Sequence, residues 1–114
     1  MPYLDREQRR FPRIRVNTPV RYNISGLPQS VNTVSSDISL GGICLSNDSF
    51  IAPHTEVGLE VNLLSRILRA RGRVAWSFPL PHSDKYRWGV EFQEMPQQEK
   101  NYLKDYIDLQ LGVI

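Results

Sequence analysis

The sequence predicts an all-β domain closed by one C-terminal helix. Three observations point there. Six short segments between residues 14 and 93 alternate apolar and polar side chains with period two. Turn formers separate them, as in Ser25-Gly26-Leu27-Pro28 and Gly41-Gly42. After Pro96 the apolar residues switch to helical spacing. About six short strands joined by turns make an antiparallel barrel or sandwich. The 114 residues suit one domain. A chain of that size buries roughly two-thirds of its unfolded surface, enough for a core without staples.

Residues 1–13 are polar, rich in Arg and carry Pro2 and Pro12, and they read as a flexible arm. The barrel is expected over residues 14–95. Its first strand holds Ile14, Val16, Val20, Tyr22 and Ile24, with Thr18-Pro19 as a bend or edge position. Val31 to Ile38 is rich in β-branched residues and makes the second. Gly41-Gly42 interrupts, and Ile43-Cys44-Leu45 forms a short third, with Cys44 packing inside as a small hydrophobe. Residues 47–55 read as a loop holding Pro53 and His54.

Val57, Leu59, Val61 and Leu63 alternate with Gly58, Glu60 and Asn62 in the fourth strand. In the fifth, Leu68, Ala70, Gly72, Val74 and Trp76 share the core face, and Arg69, Arg71 and Arg73 share a solvated outer one. Residues 78–84, with two prolines and His82, read as a connection. Tyr86, Trp88, Val90 and Phe92 alternate with Arg87, Gly89, Glu91 and Gln93 in the sixth. The helix occupies 96–114. Pro96 opens it, Tyr102, Leu103, Tyr106, Ile107 and Leu111 form its packing stripe, and Gly112 ends it.

Charge is informative through its distribution. The formal net charge is only +2, yet 11 of 14 basic residues are Arg, and six of these fall in the first 21 residues. Arg offers a planar fork of donors that fits phosphates and carboxylates. One Cys excludes an intramolecular disulfide and suggests a reducing compartment. No apolar stretch approaches the roughly 18–20 residues of a membrane span, and the N-terminus has no apolar signal core. A cytoplasmic domain is expected. One Cys and two distant His argue against a zinc site. There is no Walker-type phosphate loop, no His base in a recognisable setting and no carboxylate pair at a catalytic spacing. The expectation is a binding protein, not an enzyme, with no metal or cofactor.

Two constellations stand out. Arg9-Arg10-Phe11-Pro12-Arg13 sets Arg9 and Arg13 four residues apart, a reach of at most about 13 Å. That spacing lets two guanidinium forks close on one multiply charged ligand. The second is Asp37-Ile38-Ser39-Leu40-Gly41-Gly42, where Asp37 and Ser39 alternate onto one face of a strand end. A carboxylate accepts two parallel N–H groups, as on the N1/N2 edge of guanine, and Gly42 permits close backbone approach or positive φ. A hairpin-closing turn uses the same residue types.

Taken together, the paired arginines and the following D-x-S-x-x-G resemble the PilZ domain family. "RVAWS" (73–77) and "WGVEF" (88–92) are similar to its fifth and sixth strands, and the resemblance runs from Arg6 to Leu111. It implies a six-stranded antiparallel barrel that binds the bacterial second messenger cyclic di-GMP. It further implies that Arg9 and Arg13 grip phosphates and guanine edges, helped by Arg10. Asp37, Ser39 and Gly42 would hold a guanine, with Gly41 beside them. Trp76 resembles an aromatic that lies near a base in some members, although strand alternation favours core packing. Members with an Arg before the first motif Arg tend to bind a ligand dimer. Gln8 stands there in this sequence, which implies one ligand per site.

The expected mechanism is a ligand-gated adapter. Ordering an arm of about ten residues costs on the order of 10 kcal/mol. Several charge-assisted hydrogen bonds of about 1.5–3 kcal/mol each are needed to offset it. The arm would fold on the barrel only with ligand, presenting a new surface to a protein partner. The competing expectation is a small basic barrel for single-stranded nucleic acid, supported by Arg69, Arg71, Arg73 and the arm. The acidic tail (Glu91, Glu94, Glu99, Asp105, Asp108) and the near-neutral total argue against a nucleic-acid partner.

Overall fold

Among the described residues seven strands form where the sequence predicts six, because the first is broken at its own Thr18-Pro19. The structure, a computed structural model, describes residues 11–112. Gln8, Arg9 and Arg10, with most of the predicted arm, lie outside these residues. β1 (Ile14–Arg15) and β2 (Pro19–Ile24) both run antiparallel to β3 (Ser30–Ile38), with Ile14 opposite Ile38 and Pro19 opposite Val34. Proline has no N–H to give the ladder. Ser35 mends the gap from across the sheet. Its Oγ accepts the Thr18 N–H at 3.1 Å and donates to the Val16 carbonyl, and its own N–H donates to the Thr18 carbonyl at 3.0 Å. A buried hydroxyl is tolerable there because it is fully engaged.

β4 (Gly42–Asn47), β5 (Glu56–Leu63), β6 (Arg66–Pro79) and β7 (Tyr86–Glu94) complete the sheet. The order β3-β2-β5-β6-β7-β4 closes when β4 pairs back onto β3. The result is a six-stranded antiparallel barrel carrying β1 as an extra strand, and closure removes the open edges a sandwich would leave. Two boundaries differ from the sequence reading. β4 runs on to Asn47, which pairs with Tyr86 and donates its amide N–H to the Tyr22 hydroxyl. β6 continues through Phe78 and Pro79, because β7 begins early enough to pair with them.

The alternating residues fill the barrel as expected. Tyr22 and Trp88 meet edge to face, with ring centroids 4.9 Å apart, among Ile38, Ile43, Leu45, Leu63 and Leu68. Cys44 departs from expectation. It is buried, but Ile43 and Leu45 take the core face, so Cys44 points outward, opposite Asp37 on β3 and Gly89 on β7. Burial pushes its thiol pKa up, which makes it a poor nucleophile.

Helix α1 (Gln97–Leu111) starts after Pro96 and ends at Gly112, whose φ of 75° is the left-handed cap that favours glycine. Leu103, Tyr106 and Ile107 are buried against the barrel, whereas Leu111 at the predicted end of the stripe is 43% exposed. Charge assists the packing. Glu99 is buried, pairs with the Arg66 guanidinium and accepts the Arg69 N–H at 2.6 Å. Arg66 also lies 4.8 Å from the centroid of the Tyr102 ring, and the Tyr102 hydroxyl donates to the Leu63 carbonyl at 2.7 Å. These contacts clamp the first turns of α1 to the β5–β6 hairpin.

Burial acts to raise the Glu99 pKa, but the Arg69 N–H and the Arg66 guanidinium together hold it below the usual carboxylate range. A depressed folded pKa means that the folded state binds fewer protons than the unfolded one. The stabilisation is therefore complete above about pH 4.3, the ordinary Glu value, and is lost as pH falls through the folded pKa. Glu99→Gln is expected to cost about 2 kcal/mol at pH 7 in denaturant unfolding. It should also flatten the acid limb of a stability–pH profile relative to the parent.

Candidate ligand-binding site

Two bulges build the site, and neither is visible in a period count. The first lies in β3, between the Ser35–Leu45 and Asp37–Cys44 pairs. It lets Ser35 face the core while Asp37 faces out. The second lies in β6, between Val74 and Trp76, which stand opposite Val90 and Gly89. The extra residue turns Trp76 to the outer face. The expected core position of Trp76 is thereby corrected: it is half-buried on the barrel wall, stacked on Phe78 with centroids 5.1 Å apart. Its ring lies over Gly89, where a Cβ would come within 2.5 Å of the indole.

Registered pairs now align Asp37, Cys44, Gly89 and Trp76 in one row across four strands. Three strand spacings make that row about 14 Å long. A carboxylate stands at one end and an indole at the other, and Gly89 leaves the path between them low.

Arg13 reaches the carboxylate end, its Nη2 3.1 Å from Asp37 Oδ1. The guanidinium is within ion-pair range but off the hydrogen-bonding direction, and Oδ1 is buried with no well-directed hydrogen bond among the described residues. The end of β3 and the start of β4 form a tight turn. Ser39 N–H donates to the Gly42 carbonyl at 2.8 Å, and Ser39 Oγ accepts the Gly41 N–H at 3.1 Å. The Phe11 ring packs on this turn so closely that a Cβ on Gly41 would come within 2.8 Å of it.

These pieces open onto a cleft of about 520 Å³. Phe11, Arg13, Ser39, Gly41, Gly42 and Trp76 are among its lining residues. α1 contributes Gln97, Lys100, Asn101 and Lys104 to the lining, and β7 contributes Glu91 and Glu94 among others. Of the predicted residues, Arg13, Ser39, Gly41, Gly42 and Trp76 converge here. Asp37 does not line the cleft but stands behind Arg13. Sequence reasoning missed Phe11 as a wall and the polar face of α1. The helical spacing of 97, 100, 101 and 104 was available, but nothing local links that face to Arg13.

The Arg stripe on β6 is not a bare cationic surface. Glu60 lies between Arg21 at 2.7 Å and Arg69 at 3.6 Å, and Arg71 lies 3.5 Å from Glu94. Arg73 stands between Glu56 and Glu91 in register. His54 and His82 occupy positive-φ loop positions, as their loop assignment implied. Among the described residues no group of three or more His, Cys, Asp or Glu could hold a metal ion, and no helix is long and apolar enough to cross a membrane.

Solved structures share this architecture. The inhibitor of motility MotI/DgrA from Bacillus subtilis matches with a TM-score of 0.75 at 21% identity, over 92% of this chain and 52% of that one. This chain thus spans about half the length of that protein. The PilZ domain of YcgR from Escherichia coli, solved with c-di-GMP, matches with a TM-score of 0.72 at 14% identity, over 92% of each chain. The PilZ domain of CeSA from a cellulose-synthesizing bacterium matches at 0.60 and 20% identity, over 90% of this chain and 97% of that one. A search of the curated proteins finds no match. A family model for the PilZ domain aligns with residues 7–109, which takes in the paired arginines, every barrel strand and most of α1. With the barrel closed as that family requires and the alignment running nearly end to end, this chain belongs to the PilZ domain family.

Proposed function

We propose that the chain is a cyclic di-GMP receptor that acts as a ligand-gated adapter for a protein partner, in control of motility, secretion or biofilm formation. The observation that carries this reading is the convergence of Arg13, the Ser39–Gly42 turn and Trp76 on one cleft. Its volume falls within the roughly 300–1,000 Å³ of small-ligand sites. The ligand offers two phosphates for guanidinium forks and two guanines for stacking and edge recognition.

Arg13 binds a phosphate or the O6/N7 edge of a guanine. Asp37, beside the cleft rather than in its lining, holds that guanidinium, and its remaining lone pairs accept guanine N1–H and N2–H from a base that extends past the lining. Ser39 and the Gly41-Gly42 backbone keep the approach narrow. Trp76 provides a flat surface for one base. Arg9 and Arg10 supply further forks from the arm, Gln8 sets the stoichiometry at one ligand per site, and binding rather than catalysis is the output.

Calorimetric titration of the purified protein with cyclic di-GMP tests the reading, and absence of heat at micromolar ligand would overturn it. Within that assay, Trp76→Ala is expected to weaken binding about tenfold, since base–aromatic stacking contributes about 1–3 kcal/mol. The thermal midpoint should change little, because the indole lies outside the core cluster. A midpoint drop with unchanged affinity would instead make Trp76 a packing residue.

A further inference from the structure

We infer that α1 is the second wall of the ligand site, and that Lys100 receives the phosphate facing away from Arg13. The inference rests on the cyclic di-GMP reading and extends it to a segment outside both motifs. α1 has two working faces. Glu99, Leu103, Tyr106 and Ile107 recur at helical spacing and are buried against the barrel. Gln97, Lys100, Asn101 and Lys104 recur at the same spacing one residue further round, and all four line the cleft. The Glu99 clamp fixes which way this second face points.

The three lysines of the chain are not equivalent. Lys85 is tied to Asp48 at 2.8 Å, and Lys104 is tied to Asp108 at 2.6 Å, one turn further along the helix. Lys100 has no carboxylate within ion-pair range among the described residues. Beside it, the Gln97 amide donates to Asn101 at 3.0 Å, which holds those two side chains together along the rim. Glu91 and Glu94 also line the cleft, with Glu94 drawn to Arg71 at 3.5 Å. The cleft lining therefore mixes charges, with Arg13 supplied from the chain before β1 and Lys100 from α1.

The ligand's chemistry matches that placement. A cyclic dinucleotide carries its two phosphodiesters on opposite sides of one ring, so neutralising both requires cations from opposite directions. Arg13 comes from the barrel side and Lys100 from the helix side. A lysine ammonium is a compact point charge suited to a phosphate whose orientation is set by contacts elsewhere.

Calorimetry at fixed ionic strength tests this with the full chain. Lys100→Ala is expected to weaken cyclic di-GMP binding about tenfold and Lys100→Glu about 100-fold or more, whereas Lys100→Arg should stay within about threefold. Lys85→Ala, outside the cleft, should match the parent. Lys100 is exposed, so the ligand-free melting temperatures of these variants should coincide and exclude misfolding. If Lys100→Glu binds within twofold of the parent while Arg13→Ala loses binding, the helix wall is refuted and the receptor reading stands. If the parent itself gives no heat, the reading and this inference fall together.

Discussion

Arg13→Ala should weaken cyclic di-GMP binding by at least about 100-fold, because two losses act in the same direction. The fork that meets phosphate or guanine is removed. Asp37 is also left without the guanidinium that lies 3.1 Å from its buried Oδ1. An unpaired carboxylate beside a ligand of charge −2 repels it. At about 5 Å and an effective dielectric constant near 20, each unit-charge pair costs about 3 kcal/mol. Asp37→Ala removes a guanine acceptor but also that latent repulsion, so a smaller loss of about tenfold is expected.

The double variant gives the sharper test. With Asp37 gone, the repulsion term in Arg13→Ala disappears, so Arg13→Ala/Asp37→Ala should bind better than the product of the single losses predicts. Arg13→Lys should recover only part of the affinity, since an ammonium cannot make the bidentate contact. If Arg13→Ala binds within about threefold of the parent, the arginine motif does not carry recognition in this chain.

Gly42→Ala is expected to destabilise the barrel by about 3 kcal/mol and lower the thermal midpoint by about 10 °C. A Cβ on Gly42 would stand 2.2 Å from the Val90 carbonyl oxygen. The obstacle is backbone, so no rotamer change relieves it, and β4 must separate from β7 along the seam of the barrel. Gly42 does not need a left-handed conformation; the described glycines with positive φ are Gly26 and Gly112. Its role in D-x-S-x-x-G is therefore close backbone approach, one of the two readings the motif allowed.

Gly41→Ala is the informative comparison. Its new methyl group would meet the Phe11 side chain rather than backbone, so a smaller loss than for Gly42→Ala is expected. Equal melting temperatures for Gly42→Ala and the parent would refute the seam argument. The ligand-binding deficit of Gly42→Ala, measured well below its midpoint, then separates a ligand contact from a structural requirement.

By itself, the sequence determined the strands, the helix and most of the core. Val57 to Leu63 and Tyr86 to Phe92 alternate because each strand buries one face, and burial is decided residue by residue. The same local logic placed Leu103, Tyr106 and Ile107 against the barrel. Arg13, Ser39, Gly41 and Gly42 were singled out by the spacing of two short motifs, and they line the cleft.

Tertiary structure alone decided what those residues meet. One bulge residue in β3 and one in β6 set the faces of Asp37 and Trp76, since a shift of one residue turns every following side chain over. Strand counts carry no trace of such an insertion, so alternation sent Trp76 to the core. Glu99 looked like a member of an acidic tail until the β5–β6 hairpin surrounded it. Lys100 belongs to neither motif, and only barrel closure brings it to the cleft that Arg13 also lines. Alternation records each residue's own exposure, whereas a shared cleft depends on register and closure, which belong to pairs of residues far apart in the chain.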